Sequence, residues 1–123
     1  MIVIAQALLI AALELGLQSW IWVALVPLAF GLAANASPAR ATGRGALAGA
    51  LCWLGAGLYF YLTSAGIIAG RVAAMFGLGA GRGWLMVVLT GLLGALVAGL
   101  AAFAGASLRE AIRGNRIRDV SAK

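Results

Sequence analysis

The sequence predicts an all-α integral membrane protein with three principal apolar helices, the first of them overlong, and a short basic amphipathic helix at the C-terminus. Of its 123 residues 64% are hydrophobic and 10% are charged. The hydrophobic share does not include its 18 glycines. Soluble domains average roughly 45–50% apolar residues with glycine included, and a small domain in water buries too little of its chain to hide more. Three runs almost without polar side chains, residues 2–34, 46–69 and 84–106, therefore indicate segments that lie in lipid.

The second and third runs each fit one membrane-spanning helix. They contain 24 and 23 residues, and a hydrocarbon core of about 30 Å needs roughly 20 helical residues. Neither run shows the alternation of membrane β-strands. Since backbone groups in hydrocarbon must be hydrogen-bonded within their own segment, both runs are predicted to be helices.

The first run is too long for one upright span. As a single helix its 33 residues would extend about 50 Å. Its middle carries the residues that favour a membrane interface, namely Glu14, Gln18, Ser19, Trp20 and Trp22. We prefer a true span at about residues 17–34, with residues 1–13 in the interface or on a partner. The alternatives are a hairpin of two short helices, giving four membrane segments, and one tilted helix kinked at Pro27.

Two loops are predicted between the runs. Residues 35–45 contain Pro38, Arg40 and Arg44, and residues 70–83 contain Arg71, Arg82 and alternating glycines. We expect Pro38 to stop a helix and the glycines to prevent regular structure. The glycine spacing does not match a nucleotide-binding loop.

The tail, residues 107–123, is predicted to be cytoplasmic. With the first loop it carries seven positive charges, against two in the second loop, and cytoplasmic segments are enriched in Lys and Arg. The N-terminus is then outside with three spans and inside with four segments. Ser107 and Glu110 match a capping box, which predicts a short basic helix up to about Gly114. This helix either serves only as an orientation signal or contacts anionic lipid headgroups or a partner through Arg109, Arg113, Arg116 and Arg118.

The composition argues against an enzyme, a metal site and a cofactor site. The chain has no His, one Cys (Cys52) and three carboxylates, so the usual ligand sets for zinc, haem and iron–sulfur clusters are missing. The cations are dispersed without stacking aromatic residues among them, so no direct nucleic-acid binding is expected.

Small residues spaced four apart predict close helix packing. These pairs and series are Gly45 and Gly49, Gly66 and Gly70, and Gly91, Ala95 and Gly99. Such faces allow helix backbones to approach closely, which drives helix association in lipid.

Glu14 is the only carboxylate in an apolar run, and an ionisable group in hydrocarbon is a candidate functional site. It is a candidate proton site for a proton-coupled carrier. We prefer the alternative, a solvated carboxylate at headgroup depth, because its polar and Trp neighbours are typical of an interface.

These patterns predict a non-enzymatic membrane component that acts by helix packing in the cell membrane, with copies of itself or other membrane subunits as partners. In layout, the apolar helices of residues 45–106, joined by an Arg-bearing loop, resemble the pilins of conjugation and DNA-transfer systems. That resemblance implies a filament subunit, stored in the membrane before it polymerises outside the cell. A holin-like pore or the Glu14 carrier is the third hypothesis.

Overall fold

The computed structural model describes the backbone of residues 1–17, 19 and 21–121, and the side chains of these residues except 17, 65, 80 and 116–121. The described part of the chain is 89% helix and includes no β-strand. The α-helices are α1 (Ile2–Leu17), α2 (Trp22–Ala33), α3 (Pro38–Phe60), α4 (Gly66–Met75) and α5 (Trp84–Ser121). A π-helical turn, Tyr61–Ala65, joins α3 to α4, and a 3₁₀ turn, Ala80–Arg82, precedes α5.

The first apolar run forms two helices, which corrects the preferred interpretation of one span at residues 17–34. α1 ends at Leu17 and α2 begins at Trp22, so the run is broken into two short helices, as in the hairpin alternative. Folding back buries Ile10 of α1 with Val23 and Val26 of α2 in one apolar cluster. A straight helix would leave these side chains apart.

Pro38 begins a helix instead of ending one, so the predicted loop 35–45 is shorter than expected. Pro38 occupies the first turn of α3, and Ser37 before it is extended. A first-turn residue needs no backbone N–H, and the ring presets a helical φ, which explains the correction. The Thr42 hydroxyl donates a hydrogen bond of 2.8 Å to the Pro38 carbonyl and supports this turn.

The second loop also starts later than predicted. The helical path continues through the π turn and α4 to Met75. The reversal follows directly, where Gly77 and Gly79 have φ values of 74° and 88°. These left-handed conformations favour glycine. The third helix begins at residue 84, as expected.

The basic tail does not form a helix of its own. α5 runs without interruption from Trp84 to Ser121, so Ser107 lies in the helix interior and the predicted capping box starts no helix. A residue inside a continuous helix already has its backbone N–H bonded to the preceding turn, which leaves the cap without a role.

Contacts between named residues give the direction of each helix. Ile10 lies in one cluster with Ala48, and Glu14 contacts Cys52 and Trp53, so α1 runs parallel to α3. Close approaches of α3 and α5 near Gly45 and Ala102, Gly49 and Gly94, and Gly57 and Val87 make these two helices antiparallel. α2 returns beside α5. The result is an up-down-up-down arrangement of α1, α2, α3 and α5.

Two helical segments are long and apolar enough to cross a membrane, Pro38–Ser64 and Trp84–Asn115. The helices Ile2–Gly16, Trp22–Ala33 and Gly66–Met75 are apolar but shorter. The core between the helices contains small residues, with Ala48 and Ala98 fully buried. The larger side chains mostly point outward, which separates a tightly packed interior from an apolar exterior.

Candidate functional site

Backbone approaches between α3 and α5 are among the tightest contacts in the described part of the chain. A Cβ atom placed on Gly45 would lie 2.7 Å from the Ala98 carbonyl oxygen, and one on Gly94 would lie 2.8 Å from the Gly49 carbonyl oxygen. A Cβ on Gly49 would collide with the Gly94 carbonyl oxygen. Only glycine permits these distances, so the α3–α5 contact depends on small residues from both helices.

α2 uses the same device against the distal part of α5. A Cβ on Gly31 would collide with the Ala102 carbonyl oxygen, and one on Gly105 would collide with the Leu28 carbonyl oxygen. The face of α5 used here is continuous with the face that meets α3. α5 therefore holds α2 and α3 through one row of small residues.

The residues predicted to pack fall into three groups. Gly45, Gly49, Gly91 and Gly99 all face α3–α5 contacts, with Leu54 beside Gly91 and Ala46 beside Gly99. Ala95 is half-buried, and Gly70 is buried where Gly83 approaches its backbone. A Cβ on Gly66 would meet only the Tyr61 carbonyl oxygen, from its own helical segment.

Three packing residues that the four-residue spacing missed are Gly94, Ala98 and Gly105. All are buried. They follow Gly91 at steps of three, four and seven residues. The seven-residue period of Gly91, Ala98 and Gly105 is therefore the sequence pattern that predicts this packing face. Gly31 has no small partner four residues away in the sequence, and nothing local marks it.

Glu14 lies between α1 and α3, half-buried. The Trp53 Nε1–H donates to Glu14 Oε1 across 3.3 Å, and the Cys52 thiol donates to Glu14 Oε2 across 3.8 Å. Along α3 these partners lie eight and nine residues beyond Arg44, about 12–14 Å. The carboxylate thus has partners within the bundle, away from the end that carries Arg44.

Two of the four arginines predicted to contact lipid headgroups or a partner bind the chain that follows α2. The Arg109 Nη2–H donates to the Ala36 carbonyl, and the Arg113 Nη2–H donates to Asn35 Oδ1 across 2.9 Å. Arg109 is half-buried and Arg113 is exposed. The side chains of Arg116 and Arg118 lie outside the described residues. These two bonds tie the end of α2 to α5.

The described arginines are divided between the two ends of the bundle. Arg40 and Arg44 in the first turns of α3 lie at the same end as Arg109 and Arg113, because α3 and α5 are antiparallel and Ala36 contacts Arg109. Arg71 and Arg82 are exposed at the opposite end, where Gly83 meets Gly70. We call the first group the four-arginine end.

Comparison with known proteins gives no further assignment. The chain matches no protein-family model, no curated protein and no solved structure.

Proposed function

We propose that this chain is an integral membrane protein that acts by helix packing, as a homo-oligomer or as a small subunit of a larger membrane complex, without catalytic chemistry of its own. The observation that carries this proposal is the outward apolar surface. Leu62 is 73% exposed, Ile67 75% and Leu100 65%, and comparable Leu, Ile and Phe side chains follow the other helices. Soluble monomers rarely expose contiguous apolar surface of this extent, whereas lipid solvates it.

The spacing of the charges supports a transmembrane placement of α3 and α5. From Arg44 to Arg71 the helical path rises about 40 Å. From Trp84, the first residue of α5, to Arg109 it rises about 37 Å. Both lengths exceed the hydrocarbon core of about 30 Å. We place the four-arginine end on the cytoplasmic side, because positive charges concentrate there.

The hairpin of α1 and α2 is proposed to enter from the cytoplasmic side and turn back. The 16 residues of α1 rise about 24 Å, and the 12 residues of α2 about 18 Å. Ile2 lines the same cavity as Ala36 and Arg44, so the start of α1 lies at the four-arginine end. Both termini are then on the cytoplasmic side, as expected for four membrane segments.

The internal use of glycine defines what a partner would contact. Gly31, Gly45, Gly49 and Gly105 already approach other helices of the same chain, so they are not available to a second chain. Glu14 lies beside Cys52 and Trp53, and α1 ends three residues after Glu14. The hairpin of α1 and α2 therefore runs alongside α3 only to about residue 55. A partner would therefore meet the larger side chains beyond it, such as Leu58 and Leu62, which are exposed.

Extraction followed by native mass measurement tests the proposal. Membranes containing the chain are first washed with alkaline carbonate and then solubilised in a mild detergent for native mass spectrometry. We expect the chain to stay in the carbonate-washed membrane and to be released as an oligomer or with other subunits. Release by carbonate contradicts the membrane placement, and a lone monomer contradicts the packing role.

A proton-coupled carrier is the second candidate, and the contacts of Glu14 with Trp53 and Cys52 favour it, because they place the carboxylate inside the bundle. Uptake of small solutes into vesicles, driven by a proton gradient, is compared between the original protein, Glu14→Gln and the control Glu110→Gln. The side chain of Glu110 is exposed on α5. The carrier hypothesis expects uptake that only Glu14→Gln abolishes. No uptake, or unchanged uptake, removes it.

The filament and holin-like hypotheses stay predictions without a favouring contact. The overlong first run suggested a filament, and the break between α1 and α2 offers another explanation for its length. Electron microscopy of sheared cell-surface material tests the filament, which requires the chain to be present in the fibres.

A further inference from the structure

Three buried polar atoms near the four-arginine end have no hydrogen-bond partner among the described residues. They are Gln6 Oε1, Arg109 Nε and Arg109 Nη1. Gln6 is only 3% exposed. Buried side-chain polar atoms are nearly always hydrogen-bonded, and an unpaired group commonly marks a bound water or ion. These atoms therefore indicate a ligand that the described residues do not supply.

Gln6 lines a small cavity between the start of α1, the end of α2 and the first turns of α3. Arg44 and Ala36 form part of its wall, and the remaining lining is apolar. Ala36 is also the residue whose carbonyl Arg109 binds. Gln6 and Arg44 thus both line the cavity, and Arg109 is bonded to the carbonyl of Ala36 in its wall.

Gln6 Oε1 is an acceptor, whereas Arg109 Nε and Nη1 are donors, and donors of the guanidinium type fit an oxyanion. Arginine binds phosphate through parallel N–H donors. The free Nε and Nη1 of Arg109 provide donors of this kind, Arg44 provides a second cation, and the Gln6 amide can turn to present its NH₂ group. The described carboxylate closest in sequence, Glu110, is exposed on α5. The electrostatic environment is positive, since Arg40 and Arg113 lie at the same end.

We propose that this cavity, the Gln6 pocket, binds a negatively charged phosphate group, held by Gln6, Arg44 and Arg109. Its internal space of about 10 Å³ accepts about one oxygen atom, so the rest of the phosphate lies at the mouth. In a membrane the source is the headgroup of an anionic lipid in the cytoplasmic leaflet, which rests on the proposed membrane placement. A free phosphate is the other source of the same chemistry.

Two binding measurements on the full chain in mild detergent separate the sources. Native mass spectrometry counts phosphatidylglycerol and phosphatidylcholine molecules retained from an equimolar mixture. Thermal unfolding compares inorganic phosphate with chloride at equal ionic strength. Preferential retention of phosphatidylglycerol supports the lipid source, and phosphate-specific stabilisation without lipid preference supports free phosphate. The absence of both effects would overturn the proposal. The membrane placement is tested separately by carbonate extraction, so the two failures can be distinguished.

Variants locate the binding. We expect Arg44→Gln to weaken the preferred ligand about tenfold, the effect of one charge-assisted hydrogen bond. Arg40→Gln is the matched control, because Arg40 is exposed one turn earlier on α3, and we expect less than about a twofold change. Equal losses in both variants would show diffuse attraction and overturn the pocket.

Gln6→Leu gives a readout that misfolding cannot imitate. Replacing a buried amide whose oxygen is unpaired by an apolar side chain of similar shape is expected to be neutral or stabilising in the unliganded protein. We expect an unfolding temperature at least as high as that of the original protein, together with about tenfold weaker binding of phosphatidylglycerol or phosphate. Unchanged binding would remove Gln6 from the site and overturn the proposal as stated.

Discussion

Single glycines decide how closely the helices of this protein approach. At Gly49 a Cβ would collide with the backbone of Gly94 and lie 2.5 Å from the Ala98 Cβ. At Gly55, six residues later on the same helix, a Cβ would meet nothing within 4 Å. Both glycines are helical, and they differ in whether another helix is close. Substitutions at the two positions can therefore be compared directly.

Gly49→Ala is expected to destabilise the protein by about 1–3 kcal/mol, the range found for overpacked contacts. Gly55→Ala is expected to be neutral or to stabilise by up to about 1 kcal/mol, because alanine favours a helix over glycine. Denaturant unfolding in detergent, followed by circular dichroism, measures both. Equal effects would contradict the close α3–α5 contact.

The hydrogen bond between Glu14 and Trp53 joins α1 to α3 at a defined level. Trp53→Phe retains most of the ring and removes the N–H donor. We expect this change to cost about 1 kcal/mol more in the original protein than in a Glu14→Leu background. A double-mutant cycle of unfolding free energies gives the coupling, and additive effects would show that the two side chains do not interact.

At the scale of elements, the long apolar runs at 46–69 and 84–106 predicted real helices, because their length and composition act locally. Their ends were less predictable. Pro38 is compatible with a helix start and with a helix stop, and only the extended Ser37 before it and the helical turn after it distinguish the two. The π turn at Tyr61–Ala65 has no sequence marker of its own.

The contacts of α1 depend on partners far away in sequence, so local patterns could not predict them. Glu14 was assigned to an interface from its polar neighbours, whereas its observed partners are 38 and 39 residues away. The charge of Arg109 predicts an orientation signal or a contact with lipid headgroups or a partner, and its observed hydrogen bond goes to a carbonyl 73 residues earlier. The sequence predicts which residues are unusual, and the fold determines what they contact.

Packing of α1 against the bundle can be tested with Ile10 and Leu8. Ile10 is fully buried and Leu8 is 66% exposed on the same helix. We expect Ile10→Ala to cost about 2 kcal/mol or more, because it removes buried contacts and leaves a cavity. Leu8→Ala is expected to cost less than about 0.5 kcal/mol. Similar losses, measured by denaturant unfolding in detergent, would indicate that α1 lies apart from the other helices.

At the scale of the whole molecule, two antiparallel long helices and one shorter hairpin form an asymmetric bundle. The four-arginine end contains the starts of α1 and α3, the end of α2 and the Gln6 pocket. Among the described residues, the opposite end contains α4, the glycine turn and the start of α5. In the proposed placement, this bundle sits in the membrane with the start of α1 and the four-arginine end on the cytoplasmic side.

Cysteine labelling in intact cells tests that placement most directly, because Cys52 is the only native cysteine and Cys52→Ala gives a background without thiols. Single cysteines replace Ile2, Ser37 and Gly81, which are all exposed, and each variant is treated with a membrane-impermeant maleimide before and after permeabilisation. We predict immediate labelling at position 81, and labelling at positions 2 and 37 only after permeabilisation. Labelling of positions 2 and 37 from opposite sides would contradict the account.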